Sequence, residues 1–182
     1  MNNPVILTNP VTNTFTVSFL FSLFLGTMLH FTYQFSGSNN FVGCFSAINE
    51  SIWEHTKLAA FPLIFFSIYL LIINLGKVNN LFVALPTALF VAIITVPVVF
   101  YFYTSLTKSS MFMVDIAIFV LACYLSNKVY WYIIGMPTFL FVYQLIGLLV
   151  TATVILGFAK WTYNPPNLKI FTQIGYNNTE SM

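Results

Sequence analysis

Six side chains could do chemistry: His30, Glu50, Glu54, His55, Lys57 and Asp115. Imidazoles and carboxylates together can bind a divalent cation such as zinc, iron or manganese. They can also pass protons, because burial moves carboxylates toward neutral titration. A metal-activated water would add hydrolysis, with Glu50 or Glu54 as general base and His30, His55 and Asp115 as ligands. Lys57 supplies a counter-charge. No HExxH, GxSxG, phosphate-binding-loop or GxGxxG pattern is present, so no catalytic signature chooses among these chemistries.

These residues stand out because the rest of the chain is so apolar. Of 182 residues, 59% are hydrophobic, 19% aromatic and 5% charged (six Lys, no Arg, one Asp, three Glu). About 25% charge is usual where water wets a surface, so lipid must be the main solvent here. That excludes a soluble enzyme, an Arg-rich nucleic-acid binder and a disulfide-stapled secreted domain. A net charge of +2 argues for no acidic partner. Cys44 and Cys123 are isolated in apolar surroundings and read as buried thiols.

A span needs about 20 mostly apolar residues, and five stretches qualify: 15–35, 52–75, 81–103, 110–134 and 138–159. The expected fold is therefore all-α, a single polytopic transmembrane domain. Pro86 and Pro97 fall inside the third span, where buried prolines are tolerated. Ser126-Asn127-Lys128 interrupts the fourth. Residues 1–13 carry no Lys or Arg, so the first apolar run reads as a retained span rather than a cleaved signal. Residues 41–50 are too short to cross and read as a re-entrant or interfacial segment, or as an early extension of the second helix. Residues 163–182, with Pro165-Pro166 and several Asn, read as a flexible soluble tail.

Five crossings place the loops after spans one and three and the C-terminus on one side. Lys57, Lys108, Lys160 and Lys169 lie near that side, Lys77 and Lys128 near the other, so the positive-inside rule makes the first side cytoplasmic. Asn49-Glu50-Ser51 and Asn177-Asn178-Thr179 match the glycosylation pattern, but at the membrane and in the cytoplasmic tail respectively.

Topology also brings the reactive residues to one level. His30 is about one turn from the end of span one, Glu50 to Lys57 crowd the start of span two, and Asp115 is about one turn into span four. All lie toward the same side, and an ionisable group in lipid costs about 2.5–3.5 kcal/mol unless it faces a partner or a cavity. A continuous helix would put Glu50, Glu54, Lys57 and Phe61 on one face and turn His55 about 140° away from Glu50.

Each residue also has an ordinary role. Ser51-Ile52-Trp53-Glu54 fits a capping box, or Asn49 is the cap. Glu50 would complement a helix dipole, Lys57 would snorkel or pair with a glutamate, and His30 would bond across helices. Asp115, inside an apolar run, would pair or cap a helix end. What outweighs these separate readings is the shared depth of all five acids and histidines.

Gly26-x-x-x-His30-x-x-Tyr33-x-x-Ser36-Gly37, then Asn49-Glu50-Ser51-Ile52-Trp53-Glu54-His55-x-Lys57-Leu58 and Pro62, resembles a family of small bacterial multi-pass membrane proteins of unknown function. Their shared block reads roughly N-E-S-x-W-E-H-x-K-L. The resemblance continues at Phe102-Tyr103-Thr104 and Asp115-Ile116 and covers about residues 18 to 130. It implies a fold and a set of positions, and no activity.

Three readings follow. In the first, the pocket binds a proton or metal ion that crosses the membrane, through a homo-oligomer because five helices make a thin wall; Ser126, Asn127 and Lys128 would extend the path. In the second, it is an intramembrane metal-dependent hydrolase or lipid-modifying enzyme. In the third, the protein is a structural subunit of a membrane complex and the charges are docking contacts. The bilayer is the one partner common to all three, and nucleic acid is a partner in none.

Overall fold

A computed structural model describes residues 11–74 and 78–174. The helices run in the order α1 (Val11–Phe35), α2 (Asn40–Gly43), α3 (Ile52–Ile73), α4 (Leu81–Thr107), α5 (Phe112–Ile134) and α6 (Phe141–Tyr163), followed by a 3-10 turn at Lys169–Phe171. Among the described residues, five helices are long and apolar enough to cross a membrane. The structure is thus the all-α, five-span arrangement that hydropathy predicts. Helices are the necessary solution, because hydrocarbon offers no partner to an unbonded backbone N–H or C=O.

Two C-terminal boundaries extend past expectation. α4 reaches Thr107 rather than Tyr103, and α6 reaches Tyr163 rather than Ala159. Ser and Thr hydroxyls in the extra turn of α4 bond back to carbonyls one turn earlier, Thr104 to Phe100 and Thr107 to Tyr103. The expected end of span two at Leu75-Gly76-Lys77 lies outside the described residues. Ser126-Asn127-Lys128 does not break α5. Asn127 is buried and donates to Cys123 O at 2.8 Å and to Ser22 Oγ at 3.2 Å, so α5 itself and α1 satisfy its NH2 group, while its Oδ1 has no partner among the described residues.

α3 sits at the centre. Of its most apolar stretch 67% is buried, against 17% for α6, so α3 is enclosed while α6 faces lipid. Ala59 and Ala60 on α3 and Ala84, Ala88 and Ala92 on α4 are fully buried. Such small side chains let membrane helices approach closely, where packing rather than water exclusion drives association. Two glycines mark the tightest crossings. A Cβ on Gly147 of α6 would collide with the Phe82 backbone of α4, and one on Gly26 of α1 would collide with the Leu58 carbonyl of α3 and the Phe119 ring of α5.

The links are built from polar side chains. α1 ends in a Schellman motif, with Ser38 N–H on Tyr33 O, Gly37 N–H on Gln34 O, and Gly37 at φ +70°. At the opposite end of the bundle, Asn80 takes a left-handed conformation and donates its amide to the carbonyls of Ile133, Met136 and Pro137. Its oxygen accepts from Phe139 N–H and Gln144 Nε2. One side chain thus joins α4 to the α5–α6 turn.

Candidate metal centre

The motif from Asn49 to Lys57 folds in two directions. Ser51 is the N-cap of α3, its hydroxyl accepting from Glu54 N–H at 3.3 Å. Asn49 bonds Ser51 N–H at 2.9 Å, an Asx turn that holds the chain extended just before the helix. Only half of the capping box forms, because the Glu54 carboxylate turns to Ile48 N–H at 2.9 Å rather than to Ser51 N–H. Helix α3 therefore begins after Glu50. The single-face expectation fails at this point: Glu50 is outside the helical phase, and its carboxylate swings to the His55 side while Glu54 and Lys57 face the other.

The Glu50 carboxylate lies between two imidazoles. Its Oε1 is 3.6 Å from His30 Nε2 and its Oε2 is 3.4 Å from His55 Nε2. The side chains are 44% (Glu50), 27% (His30) and 21% (His55) exposed, so the group is half-buried at the mouth of the bundle. One ligand atom from each residue can be chosen so that all three lie within 4.8 Å of one another.

These separations are too long for good N–H···O hydrogen bonds, which want 2.7–3.2 Å. They suit a shared cation better. Ligands about 2.1 Å from a tetrahedral zinc stand about 3.4 Å from each other. The widest separation, up to 4.8 Å, would have to close by up to about 1.4 Å, which a side-chain rotation supplies.

The surroundings orient one candidate ligand. His55 Nδ1 is 2.8 Å from the Ser51 carbonyl, which can only accept, so Nδ1 is the N–H donor, and in the neutral ring Nε2 is the lone-pair atom that faces Glu50. His30 is held through its helix. Gly26, one turn earlier, brings α1 against Leu58. Ser46 Oγ donates to Leu29 O and accepts from Tyr33 N–H at 2.9 Å, pinning the 41–48 segment to α1 on both sides of His30. The His30 ring meets Phe31 edge-on at 4.9 Å and lies 5.5 Å from the His55 ring. His30 Nδ1 is buried and has no partner among the described residues.

The other candidates go elsewhere. Glu54 and Lys57 form a fully buried pair at 2.7 Å. The ammonium also donates to Gly43 O at 2.8 Å and Ser46 O at 3.1 Å, which uses all three of its protons. Glu54 accepts in addition from Ile48 N–H and Thr162 Oγ1. This network clamps the 40–48 segment between α3 and α6. Asp115 accepts a hydrogen bond from Tyr103 Oη at 2.5 Å, and the same hydroxyl accepts from Met111 N–H, so Asp115 closes the α4–α5 turn. It lies outside the His30–Glu50–His55 group.

A second polar layer lies deeper. His30, Gly26, Ser22 and Ser18 form one stripe of α1 at four-residue spacing. Ser22 meets Asn127, and Ser18 Oγ accepts from Trp131 Nε1 at 2.6 Å. About 12 Å of helix separates His30 from Ser22, and between them, at Gly26, the Leu58 carbonyl and the Phe119 ring stand where a side chain would be. Lys128 leaves this layer, its ammonium 4.8 Å from the Phe15 ring centre and 5.5 Å from that of Tyr124.

Several contributors escape a reading of residue types. The Ser51 carbonyl and the Gly43 and Ser46 carbonyls act through backbone, which no side-chain pattern reveals. Ser46, a lone hydroxyl in the apolar 41–48 run, was visible as a type and could have been suspected.

No curated protein and no solved structure matches the chain significantly. A family model described as a family of unknown function (DUF6512) matches residues 7–176, a range that takes in every residue of the centre and both polar layers. The chain belongs to that family, DUF6512.

Proposed function

We propose that this multi-pass membrane protein binds a divalent transition-metal ion through His30, Glu50 and His55, at the membrane face that carries the α1–α3 and α4–α5 links and the C-terminus. The reading also takes that face as cytoplasmic. The observation that carries it is the Glu50 carboxylate set 3.4 and 3.6 Å from two imidazole nitrogens, one of which has its tautomer fixed by a backbone carbonyl. Two imidazoles and one carboxylate leave at least one coordination position for water or an incoming ligand.

Translocation through a single copy gains little support, because the Gly26–Leu58–Phe119 contact interrupts the polar stripe below His30. A hydrolase built on Glu54 as base gains little either, since Lys57, Ile48 and Thr162 occupy that carboxylate. A docking role for the charges meets the same difficulty, as Glu54 and Lys57 satisfy one another inside the fold.

The test is elemental analysis of tag-free protein, purified in detergent without chelator and loaded with zinc, manganese or iron(II). Near-stoichiometric metal is expected in the wild type and in Asp115→Asn, with at least tenfold weaker binding in His30→Ala, Glu50→Gln and His55→Ala. A metal-free wild type, or equal retention in the three ligand variants, overturns the proposal.

A further inference from the structure

The residue that supplies the carboxylate has no helix to hold it. Glu50 precedes α3, so its carbonyl is outside the helical ladder. It is held from the far end of the chain: Ile174 N–H donates to Glu50 O at 3.1 Å. Next to it, Ser51 pairs with Gln173 in an antiparallel bridge. The Ser51 carbonyl is also the acceptor that orients His55. Residues 173–174 therefore touch the main chain that sets one ligand and aims another.

The path of the chain to that point is specific. At the end of α6, Tyr163 Oη donates to Asn40 O at 2.5 Å, and Pro165-Pro166 keep the helix from continuing. Leu168 N–H bonds Pro166 O at 2.8 Å, turning the chain into the 3-10 turn at Lys169–Phe171. Phe171 then packs on Trp53 at 5.1 Å between centroids and on Trp161 at 6.2 Å. The stretch read from sequence as a soluble tail thus docks, as far as Ile174, on the first turn of α3.

We infer that this C-terminal strap is a working part of the metal centre: it positions Glu50 and Ser51, so strap docking and metal binding strengthen one another. The inference rests on the metal reading above. Reciprocity is required by linkage, because any factor by which the docked strap raises metal affinity is the factor by which metal favours docking. Loss of a partner that orients a metal ligand commonly weakens binding 10- to 100-fold.

Ile174→Pro is the decisive variant. Proline removes the N–H that bonds Glu50, and the extended conformation it imposes on residue 173 is the one the bridge already uses. Ile174→Ala keeps the N–H and controls for the lost side chain. The readouts are the zinc Kd, by competition with a chromogenic chelator, and the rate of proteolytic cleavage within residues 164–174 with and without zinc. The expected result is a 10- to 100-fold weaker Kd in Ile174→Pro, with Ile174→Ala near wild type. Zinc should also slow strap cleavage in wild type and not in Glu50→Gln, which a merely structural strap would not show. Wild-type protein that binds zinc with the same Kd as Ile174→Pro and shows no zinc-dependent protection overturns the strap inference and leaves the metal site standing. Wild-type protein that binds no zinc, manganese or iron(II) overturns both.

Discussion

The Glu50 carboxylate lies 3.4 Å from the imidazole of His55, a meeting that an unbroken helix forbids. Five residues of α-helix turn through about 500°, leaving the two side chains about 140° apart. They meet because the helix stops one residue short of Glu50. Ser51 caps α3 and Asn49 holds the chain extended before it. The cap thus sets where Glu50 stands as well as where the helix starts.

Ser51→Ala removes that cap. Loss of a side-chain N-cap costs about 1 kcal/mol, and without it α3 can add a turn backward and carry Glu50 away from His55. The expected outcome is a modest fall in thermal stability with a clear fall in zinc affinity. Ser51→Asp, which caps equally well, should keep both. Thermal unfolding and chelator competition on the three proteins check this. Unchanged affinity in Ser51→Ala would show that the cap does not set the Glu50 position.

Lys57→Met should separate stability from metal binding. It leaves Glu54 charged and buried, and it strips the Gly43 and Ser46 carbonyls of their donor. Breaking such a pair from one side costs about 3–5 kcal/mol. Protein that still folds should retain stoichiometric zinc, because Lys57 touches none of the three ligands. Melting in detergent, with metal content measured on the folded fraction, tests both halves.

Bound metal should itself stabilise the fold. A ligand held at 100 times its Kd adds about 2.7 kcal/mol when it binds only the native state, which for a chain of this size is roughly 5–10 °C in melting temperature. Adding zinc and then a chelator should raise and restore the transition in wild type. His30→Ala should show neither change.

Composition made the fold legible. Five apolar stretches of span length could be placed within a few residues, since lipid leaves helices as the only solution. The convergence of His30, Glu50 and His55 was legible only as a shared level, inferred from topology. What could not be read was which carboxylate would face which way. That depends on where α3 begins, and Asn49, Ser51 and Glu54 offered competing caps. The Glu54–Lys57 clamp depends on three backbone partners, at Gly43, Ser46 and Ile48, that have no side-chain signature. Pro165-Pro166 marked the stretch beyond the last span, but the docking of Phe171 on Trp53 is a long-range contact that composition does not encode.

The last prediction concerns Gly26, which gives α1 its approach to α3 one turn below His30. A side chain at residue 26 would meet the Leu58 carbonyl, which cannot rotate away, as well as the Phe119 ring. Gly26→Val must therefore move α1 outward, and His30 moves with it, away from Glu50. Gly147→Val is the matched control. It forces a comparable clash against the Phe82 backbone, but between α6 and α4, remote from the three ligands. Both variants should lower the melting temperature. Only Gly26→Val should weaken zinc binding, by tenfold or more, because the geometry of a three-ligand site fails when one ligand retreats by about an ångström. Equal zinc affinity in the two variants would mean that the position of His30 is set by something other than the α1–α3 crossing. Ser46, which bonds both Leu29 O and Tyr33 N–H, would then be the residue to change next.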